Sequence, residues 1–254
     1  MEPGGQGANL AVRLARRGVP VRLTCALADD TAGAMVRAAL GADGVEVDAR
    51  ESAMTGVVVA LIDADGDRTM LSQRVPLLDS DQEEGLEVTW TIISGYVLLE
   101  PGAPRLPALV APSTRQAVAG CAITPVQVEG WTSALRALAP DLLVVNRDEA
   151  RMLAGGETVA TVVVVTDADG ASATIDGRTI RVDAPAGEPA TDTTGAGDAF
   201  LAAFLADLLD ESWPPSEEAL ERAMHAASRL ASAVARIRGA QTRVLDEPPA
   251  TLST

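Results

Sequence analysis

Short runs of consecutive apolar residues, each followed at once by polar ones, constrain the fold of this chain most. The stretches VTWTIISGYVLL (88–99), PDLLVVNRDEA (140–150) and TVATVVVVTD (158–167) are each typical of a strand that is buried on both faces of a parallel sheet. The first two runs each lead from a strand into a loop, and the second then gives way to a helix after Asn146. Helical patterns alternate with these strands. The sequence therefore predicts an α/β fold, and open sheets of this class bind ligands at the loops that follow strand ends.

The rest of the chain repeats this alternation. Two hairpins are expected, one over residues 55–73 with its turn at Asp65-Gly66, and one that turns at Asp176-Gly177. Further patterns indicate a strand over 19–27 and helices over 7–17, 31–40, 197–209 and 216–238. No internal repeat or low-complexity linker interrupts the pattern, so we predict a single domain over residues 1–254.

The charge of the chain limits its partners. The formal net charge is −16 and the sequence pI is about 4.4. Nucleic-acid phosphates and anionic membranes would repel such a protein, and only 2% of the residues are aromatic, too few for base-stacking surfaces. A small-molecule ligand is the better expectation.

Three residue types exclude further chemistries. All 20 basic residues are arginine, so neither a Walker A loop nor a protein-kinase lysine is present. Cys25 and Cys121 lack the spacing of a zinc site or a disulfide and are expected to be buried thiols in a reduced cytoplasm. His225 lies in a helical pattern and is given no catalytic role.

No segment of 18 or more uncharged apolar residues occurs, and we expect a cytoplasmic protein.

The stretch TDTTGAGDAF (191–200) joins a glycine turn to an apolar helix. Gly195 and Gly197 allow consecutive N–H groups to point at one spot, and Ala196 adds no bulk there. The positive end of the dipole of the following helix points at the same spot, so the turn is suited to bind an anion without lysine. Asp198 at its rim is a candidate general base, although an Asp in a first helical turn is also favoured by the helix dipole alone.

A dinucleotide-binding fold is a weak alternative. Both GGQGAN (4–9) and TGAGDAF (194–200) contain closely spaced glycines, but Leu10 and Phe200 stand where the third glycine of the fingerprint is required.

The glycine turn also carries a family resemblance. DTTGAGDAF resembles the C-terminal signature of the ribokinase, or PfkB, family of carbohydrate kinases. In chain order, other segments resemble further parts of that family: GGQGANLAVRLARRG, LADDTAG, NRDEA, VVVVTDADGA and RGAQ. This resemblance spans nearly the whole chain. It implies a ribokinase-like three-layer sandwich, with a mainly parallel central sheet flanked by helices and a reduced β lid around residues 56–74.

The resemblance implies a role for each matching residue. Asp198 would be the catalytic base, and Gly195, Ala196 and Gly197 would form the anion hole. The remaining assignments are Gly4, Gly5 and Asn9 for the sugar; Asn146, Glu149, Thr166 and Gly170 for ATP; Glu149 for indirect binding of Mg²⁺; and Asp192 and Thr194, with the loop around Gly239, for the monovalent cation, K⁺, of some members.

The sequence departs from the family pattern at several points. The family opens with a strand whose aspartate holds sugar hydroxyls, whereas here only MEP precedes Gly4. No strand end of the expected kind is evident between residues 108 and 140, and the segment 150–159 is short. TDADG (166–170) replaces the usual start of the nucleotide loop and brings Asp167 and Asp169 near the expected phosphates, where like charges would weaken ATP binding unless a cation or solvent faces them.

The resulting prediction is a kinase that transfers the γ-phosphoryl group of ATP, with magnesium, to a primary hydroxyl of a small sugar or sugar phosphate. Two alternatives stay open: a non-catalytic descendant that binds a nucleotide or sugar, and a nucleoside kinase of the adenosine type. Because an exposed strand edge favours pairing, the lid hairpin also predicts a homodimer.

Overall fold

The computed structural model describes residues 3–62, 68–77, 88–103, 114–153, 159–187 and 190–244. Its helices are α1 (Gln6–Arg16), α2 (Thr31–Ala42), α3 (Val128–Leu138), α4 (Arg147–Met152), α5 (Ala196–Leu208) and α6 (Glu217–Ala235). Its strands are β1 (Arg22–Leu27), β2 (Glu46–Glu51), β3 (Val57–Ile62), β4 (Arg68–Gln73), β5 (Trp90–Ser94), β6 (Arg115–Ala119), β7 (Leu142–Asn146), β8 (Val162–Asp167), β9 (Gly170–Ile175) and β10 (Arg178–Asp183).

A six-stranded sheet forms the centre of the fold, in the order β10-β9-β8-β7-β6-β5. Strands β5 to β8 run parallel, and β9 and β10 extend the sheet as antiparallel strands. Because the parallel strands end at one edge, the residues that follow β6, β7 and β8 lie close together. The predicted α/β fold with a mainly parallel sheet is confirmed.

Helices cover both faces of this sheet, which explains why the parallel strands are apolar without interruption. Alternate residues such as Leu142 and Val144 pack with α1, α5 and α6, while Leu143 and Val145 pack with α3 around the fully buried Trp131. Helix α5 is buried along most of its length, so the residues at its N-terminus are held firmly against the sheet edge.

Two small sheets stand apart from the central one. Strands β1 and β2 pair in parallel, and β3 and β4 form an antiparallel hairpin. Helix α1 packs on both β1 and β5, although these two strands are not paired with each other. Among the described strands, the central sheet thus ends at β5.

Most predicted elements agree with the structure, including the turn at Asp176-Gly177, where both residues have positive φ. The predicted turn at Asp65-Gly66 lies outside the described residues. One expectation was wrong: Cys25 is half-buried rather than buried. The run 88–99 is a strand to Ser94 and then leaves the sheet through a 3₁₀ turn over Val97–Leu99. Strand β6 and helix α3, in the middle of the chain, were not predicted from the sequence.

Both cysteines are free, as predicted. Within the part of the chain that the structure describes, no helix is both long and apolar enough to cross a bilayer.

Candidate active site

A cavity of about 340 Å³ lies at the carboxyl edge of the central sheet, between that edge and the N-terminus of α5. Six of the residues predicted for the site line it: Asn146, Glu149, Thr166, Gly195, Gly197 and Asp198. They come from segments up to 52 positions apart in the chain, counted from Asn146 to Asp198. The fold therefore brings together the proposed base, the glycine turn and the residues expected at the nucleotide.

Asp198 is the acidic group at the centre of this arrangement. Burial raises the pKa of its carboxyl from 3.8 to about 6, against the opposing effects of a hydrogen bond from Asn9 and the charge of Arg13. The carboxylate Oδ2 accepts that hydrogen bond at 2.8 Å from Asn9 Nδ2. A carboxylate of this pKa is largely ionised at neutral pH and is more basic than an ordinary aspartate, which suits a general base.

The glycine turn has the backbone conformation that its sequence predicts. Gly195 precedes α5 with φ of 79°, in the left-handed region. A Cβ on Gly195 would meet the Ala240 Cβ at 2.8 Å, so a side chain is excluded by space as well as by conformation. Ala196 N–H donates to Thr193 O within the turn, while the first turn of any helix leaves N–H groups without a partner inside the helix. Gly195 and Gly197 both face the cavity.

Asn146 and Glu149 form a capping box at the start of α4. Asn146 Oδ1 accepts the Glu149 N–H at 2.8 Å, and Glu149 Oε2 accepts the Asn146 N–H at 2.9 Å. Glu149 is buried, and burial raises the pKa of its carboxyl. The pair is thus a structural cap that also presents a carboxylate to the cavity.

Asp167 and Asp169, the two carboxylates that the sequence brings into the expected nucleotide loop, are both paired with Arg147. Arg147 contacts Asp167 and lies 3.3 Å from Asp169 Oδ2. The other oxygen of Asp167 accepts the N–H groups of Asp169 and Gly170, which closes the turn between β8 and β9. A cation therefore faces the two extra charges.

A second cavity, of about 380 Å³, adjoins the first at Asn146 and Thr166 and contains Arg147 and Asp167 in its wall. Gly170 begins β9 with φ of 144° and does not line either cavity. A Cβ there would collide with Val182 O, so the glycine is required by the close approach of β10.

The residues assigned to the sugar are placed less directly. Gly4 and Gly5 are exposed just before α1, and Gly5 precedes the helix with φ of 97°. Asn9 is buried and donates a hydrogen bond to Asp198, so it contacts the proposed base. Gln6 lines the cavity instead: its amide donates to Gly120 O and accepts from the Ser94 hydroxyl, each at 2.5 Å.

Asp192 and Thr194 brace the turn that leads into α5. Asp192 accepts the Thr194 N–H at 2.8 Å with one oxygen and the Gly239 N–H at 3.2 Å with the other. This arrangement brings the two residues next to the loop around Gly239.

Among the described residues, no group of three or more His, Cys, Asp or Glu side chains is placed to hold a metal ion. Magnesium in phosphoryl-transfer sites is commonly bound through one or two carboxylates and the substrate phosphates, so the buried carboxylate of Glu149 fits that donor chemistry.

Other residues of the cavity were not singled out from the sequence. Cys121 lines it as a neutral thiol, because burial and the nearby Glu149 raise its pKa to about 12. Tyr96 lines it as well, and the Arg74 guanidinium lies 3.7 Å from the centre of the Tyr96 ring. Tyr96 follows a predicted strand, which could have signalled its position near the site, whereas Cys121 follows β6, a strand that was not predicted.

The model of one protein family, described as pfkB family carbohydrate kinase, matches residues 1–247. The chain belongs to this family. Membership in the pfkB family confirms the predicted class of enzyme, a phosphotransferase that uses ATP to phosphorylate an alcohol group of a sugar or nucleoside.

Solved structures share the pfkB fold at low sequence identity. An uncharacterized sugar kinase from Pyrococcus horikoshii is 19% identical with a TM-score of 0.80, over 97% of this chain and 85% of that one. An adenosine kinase from Sinorhizobium meliloti is 22% identical with a TM-score of 0.78, over 96% and 80%. A fructokinase from Vibrio cholerae, bound to fructose, ADP and a calcium ion, is 20% identical with a TM-score of 0.79, over 94% and 87%.

Proposed function

We propose that this pfkB kinase transfers the γ-phosphoryl group of ATP to a primary hydroxyl of a small sugar or sugar phosphate, with Asp198 as the general base. The observation that carries the proposal is the position of Asp198: a largely desolvated carboxylate, with a pKa of about 6, in one cavity with the glycine turn and the expected nucleotide residues. A base must lie where the attacking hydroxyl can reach it, and the cavity supplies that space.

In this mechanism the acceptor hydroxyl donates its proton to Asp198 as its oxygen attacks the γ-phosphorus. The glycine turn, Gly195 to Gly197, would stabilise the charge on the moving phosphoryl group through N–H donors and the helix dipole. Thr166 and Asn146, at the ends of adjacent strands, would hold the nucleotide phosphates. These interactions act without lysine, which is consistent with the composition of the chain.

Magnesium is part of the proposal. Glu149 would hold it indirectly, and the ion would offset phosphate charge when it is bound. We further propose a monovalent cation such as K⁺ near Asp192 and Thr194, where the two segments that would hold it already meet. Replacing K⁺ by a large organic cation in the assay tests that assignment, since unchanged turnover would refute it.

The β3–β4 hairpin is proposed to be the lid and the dimer contact. Val59, Leu61 and Leu71 lie on one face of it and are each about half exposed, which is unusual for side chains of this type. The chain that leaves β4 reaches the cavity mouth, where Arg74 stacks on Tyr96. A second copy of the same hairpin would cover these apolar side chains.

The proposal also includes one domain over residues 1–254, with its lid around 56–74, and a cytoplasmic location. The two free cysteines favour a reducing compartment.

A non-catalytic descendant that binds a nucleotide or sugar is the second candidate. The observation that favours it is the separation of β1–β2 from the central sheet beside β5, on the side of the cavity where Gln6 contacts Ser94.

The test is ATP consumption over a panel of sugars, sugar phosphates and nucleosides, with adenosine included. Turnover with a sugar or sugar phosphate supports the proposal, and turnover with adenosine alone identifies a nucleoside kinase. Measurable ligand binding without turnover on any acceptor favours the non-catalytic candidate.

A further inference from the structure

The loop of residues 239–242, here called the C-terminal loop, is fixed to two parts of the site. Buried Arg13 of α1 donates to Ala240 O at 2.7 Å and to Thr242 O at 2.9 Å. Arg16, one turn further along α1, donates to Gln241 O at 2.7 Å. On the other side the loop touches the glycine turn, since Ala240 lies against Gly195.

A chain of two side-chain hydrogen bonds runs from this loop to the proposed base. Gln241 Nε2 donates to Asn9 Oδ1 at 3.1 Å, and Asn9 Nδ2 donates to Asp198 Oδ2 at 2.8 Å. The two contacts join residues that are 232 and 189 positions apart in sequence. Asn9 is only 6% exposed, so solvent has little access to either end of its amide.

The chemistry of the three groups fixes the direction of both hydrogen bonds. An ionised carboxylate can only accept, so Asn9 must turn its NH₂ toward Asp198. The Asn9 oxygen then points away from the base and requires a donor, because a buried carbonyl without one is costly. Gln241 supplies that donor, and the backbone contacts of the C-terminal loop hold Gln241 in place.

We propose that Gln241 is a positioning residue for Asp198: it orients the Asn9 amide so that the NH₂ group of Asn9 holds and stabilises the ionised carboxylate. The inference rests on the proposed role of Asp198 as the general base. Gln241 itself acts only through Asn9 and does not line the cavity.

Several groups set the charge state of Asp198. The Asn9 hydrogen bond and the charge of Arg13, both from α1, lower the pKa of Asp198, whereas burial raises it. Three other titratable groups line the same cavity: Glu149 of α4, the neutral thiol of Cys121 and the phenol of Tyr96. Gln241 is therefore expected to influence proton transfer without carrying a charge.

Two substitutions at position 241 separate the donor from its surroundings. Gln241→Met keeps a similar length, adds no charge and removes the donor. Gln241→Glu places a carboxylate oxygen against the Asn9 Oδ1. Asn9 must then either flip its amide or leave two acceptor oxygens facing each other. In both variants the Asn9 NH₂ is no longer held toward Asp198, and the pKa of Asp198 should rise.

The pKa of Asp198 is measured directly by ¹³C NMR titration of its carboxyl carbon, which does not depend on an assay substrate. We expect an upward shift of about one unit in Gln241→Glu and a smaller upward shift in Gln241→Met, since each hydrogen bond to a charged carboxylate lowers its pKa by an amount of that order. The acid limb of kcat/KM should move by the same amounts. Gln127→Glu introduces the same charge change on an exposed residue at the start of α3 and should leave Asp198 unaffected.

An unchanged Asp198 pKa in Gln241→Met would overturn the inference, even with a shift in Gln241→Glu, because the latter would then reflect added charge alone. Failure of the proposed function looks different. If turnover survives in Asp198→Asn, Asp198 is not the general base and the proposed function fails. If Asp198→Asn is inactive but the Asp198 pKa is unchanged in Gln241→Met, only the role of Gln241 fails.

Discussion

Replacing Asp198 by Asn should stabilise the protein while it abolishes most of its turnover. The carboxyl has a pKa raised from 3.8 to about 6, so its ionised form is disfavoured in the folded state. The folded protein then binds more protons than the unfolded chain between these two values, and stability falls as the pH rises through that window. The asparagine side chain in the variant carries no charge and avoids this cost.

The structure sets the size of the effect. A shift of roughly two units corresponds to about 3 kcal/mol at pH 8, an upper bound because the carboxyl opens on the cavity. Loss of a favourable helix-dipole interaction subtracts about 0.3–1 kcal/mol. We therefore expect a net gain of about 2 kcal/mol, or about 4 °C in Tm for a chain of this length, at pH 8. At pH 4 most of the gain should vanish, since wild-type Asp198 is then protonated when folded.

The assay compares Tm at pH 4 and pH 8, and kcat at pH 8, for wild type and Asp198→Asn. Turnover should fall about 10²- to 10⁴-fold, the usual contribution of a positioned base. Asp210→Asn, an exposed change of the same charge just after α5, is the control and should alter neither quantity. A lower Tm with intact kcat would refute the reasoning, because Asp198 would then only complement the helix dipole.

Three further predictions concern the nucleotide side and the assembly. Arg147→Met should raise KM for ATP about two- to fivefold with little change in kcat, because it leaves Asp167 and Asp169 without their cation. The control is Arg151→Met, which breaks an exposed ion pair with Asp148 in the same cavity wall. Equal KM values for ATP in the two variants would contradict the role of Arg147. Excess EDTA should abolish turnover, since a site without lysine depends on a divalent cation to offset phosphate charge; undiminished turnover would exclude this dependence. Leu71→Asp should convert a dimer into a monomer in analytical ultracentrifugation, and a wild-type protein that is already monomeric at micromolar concentration would remove the proposed hairpin contact.

The local parts of this site could be predicted from the sequence because they follow from short-range chemistry. The Asn146 to Glu149 spacing specifies a capping box, and the structure contains one. Glycine at 195 precedes a helix in a left-handed conformation, as the turn pattern indicated. The long apolar runs specified β7 and β8 because strands that are buried on both faces require them.

The missed parts depend on tertiary contacts or on weak local patterns. Strand β6, RQAVA, has little β-branched content, and β2, EVDARE, is mostly charged, so neither has the composition of a strand. The contact between Gln241 and Asn9 joins opposite ends of the chain, and no periodicity specifies such a pairing. Arg147 was also missed as the partner of the two loop carboxylates. Its position after β7 does not show that its side chain reaches the turn after β8.

The pH dependence of kcat/KM for the acceptor, at saturating magnesium and ATP, tests the central claim most directly. If Asp198 is the general base of phosphoryl transfer, the rate should rise with pH along a limb whose midpoint lies near the Asp198 pKa of about 6, and reach a plateau above it. A rate that stays constant from pH 8 down to pH 4.5 would contradict the claim, because a protonated Asp198 cannot accept the proton of the attacking hydroxyl.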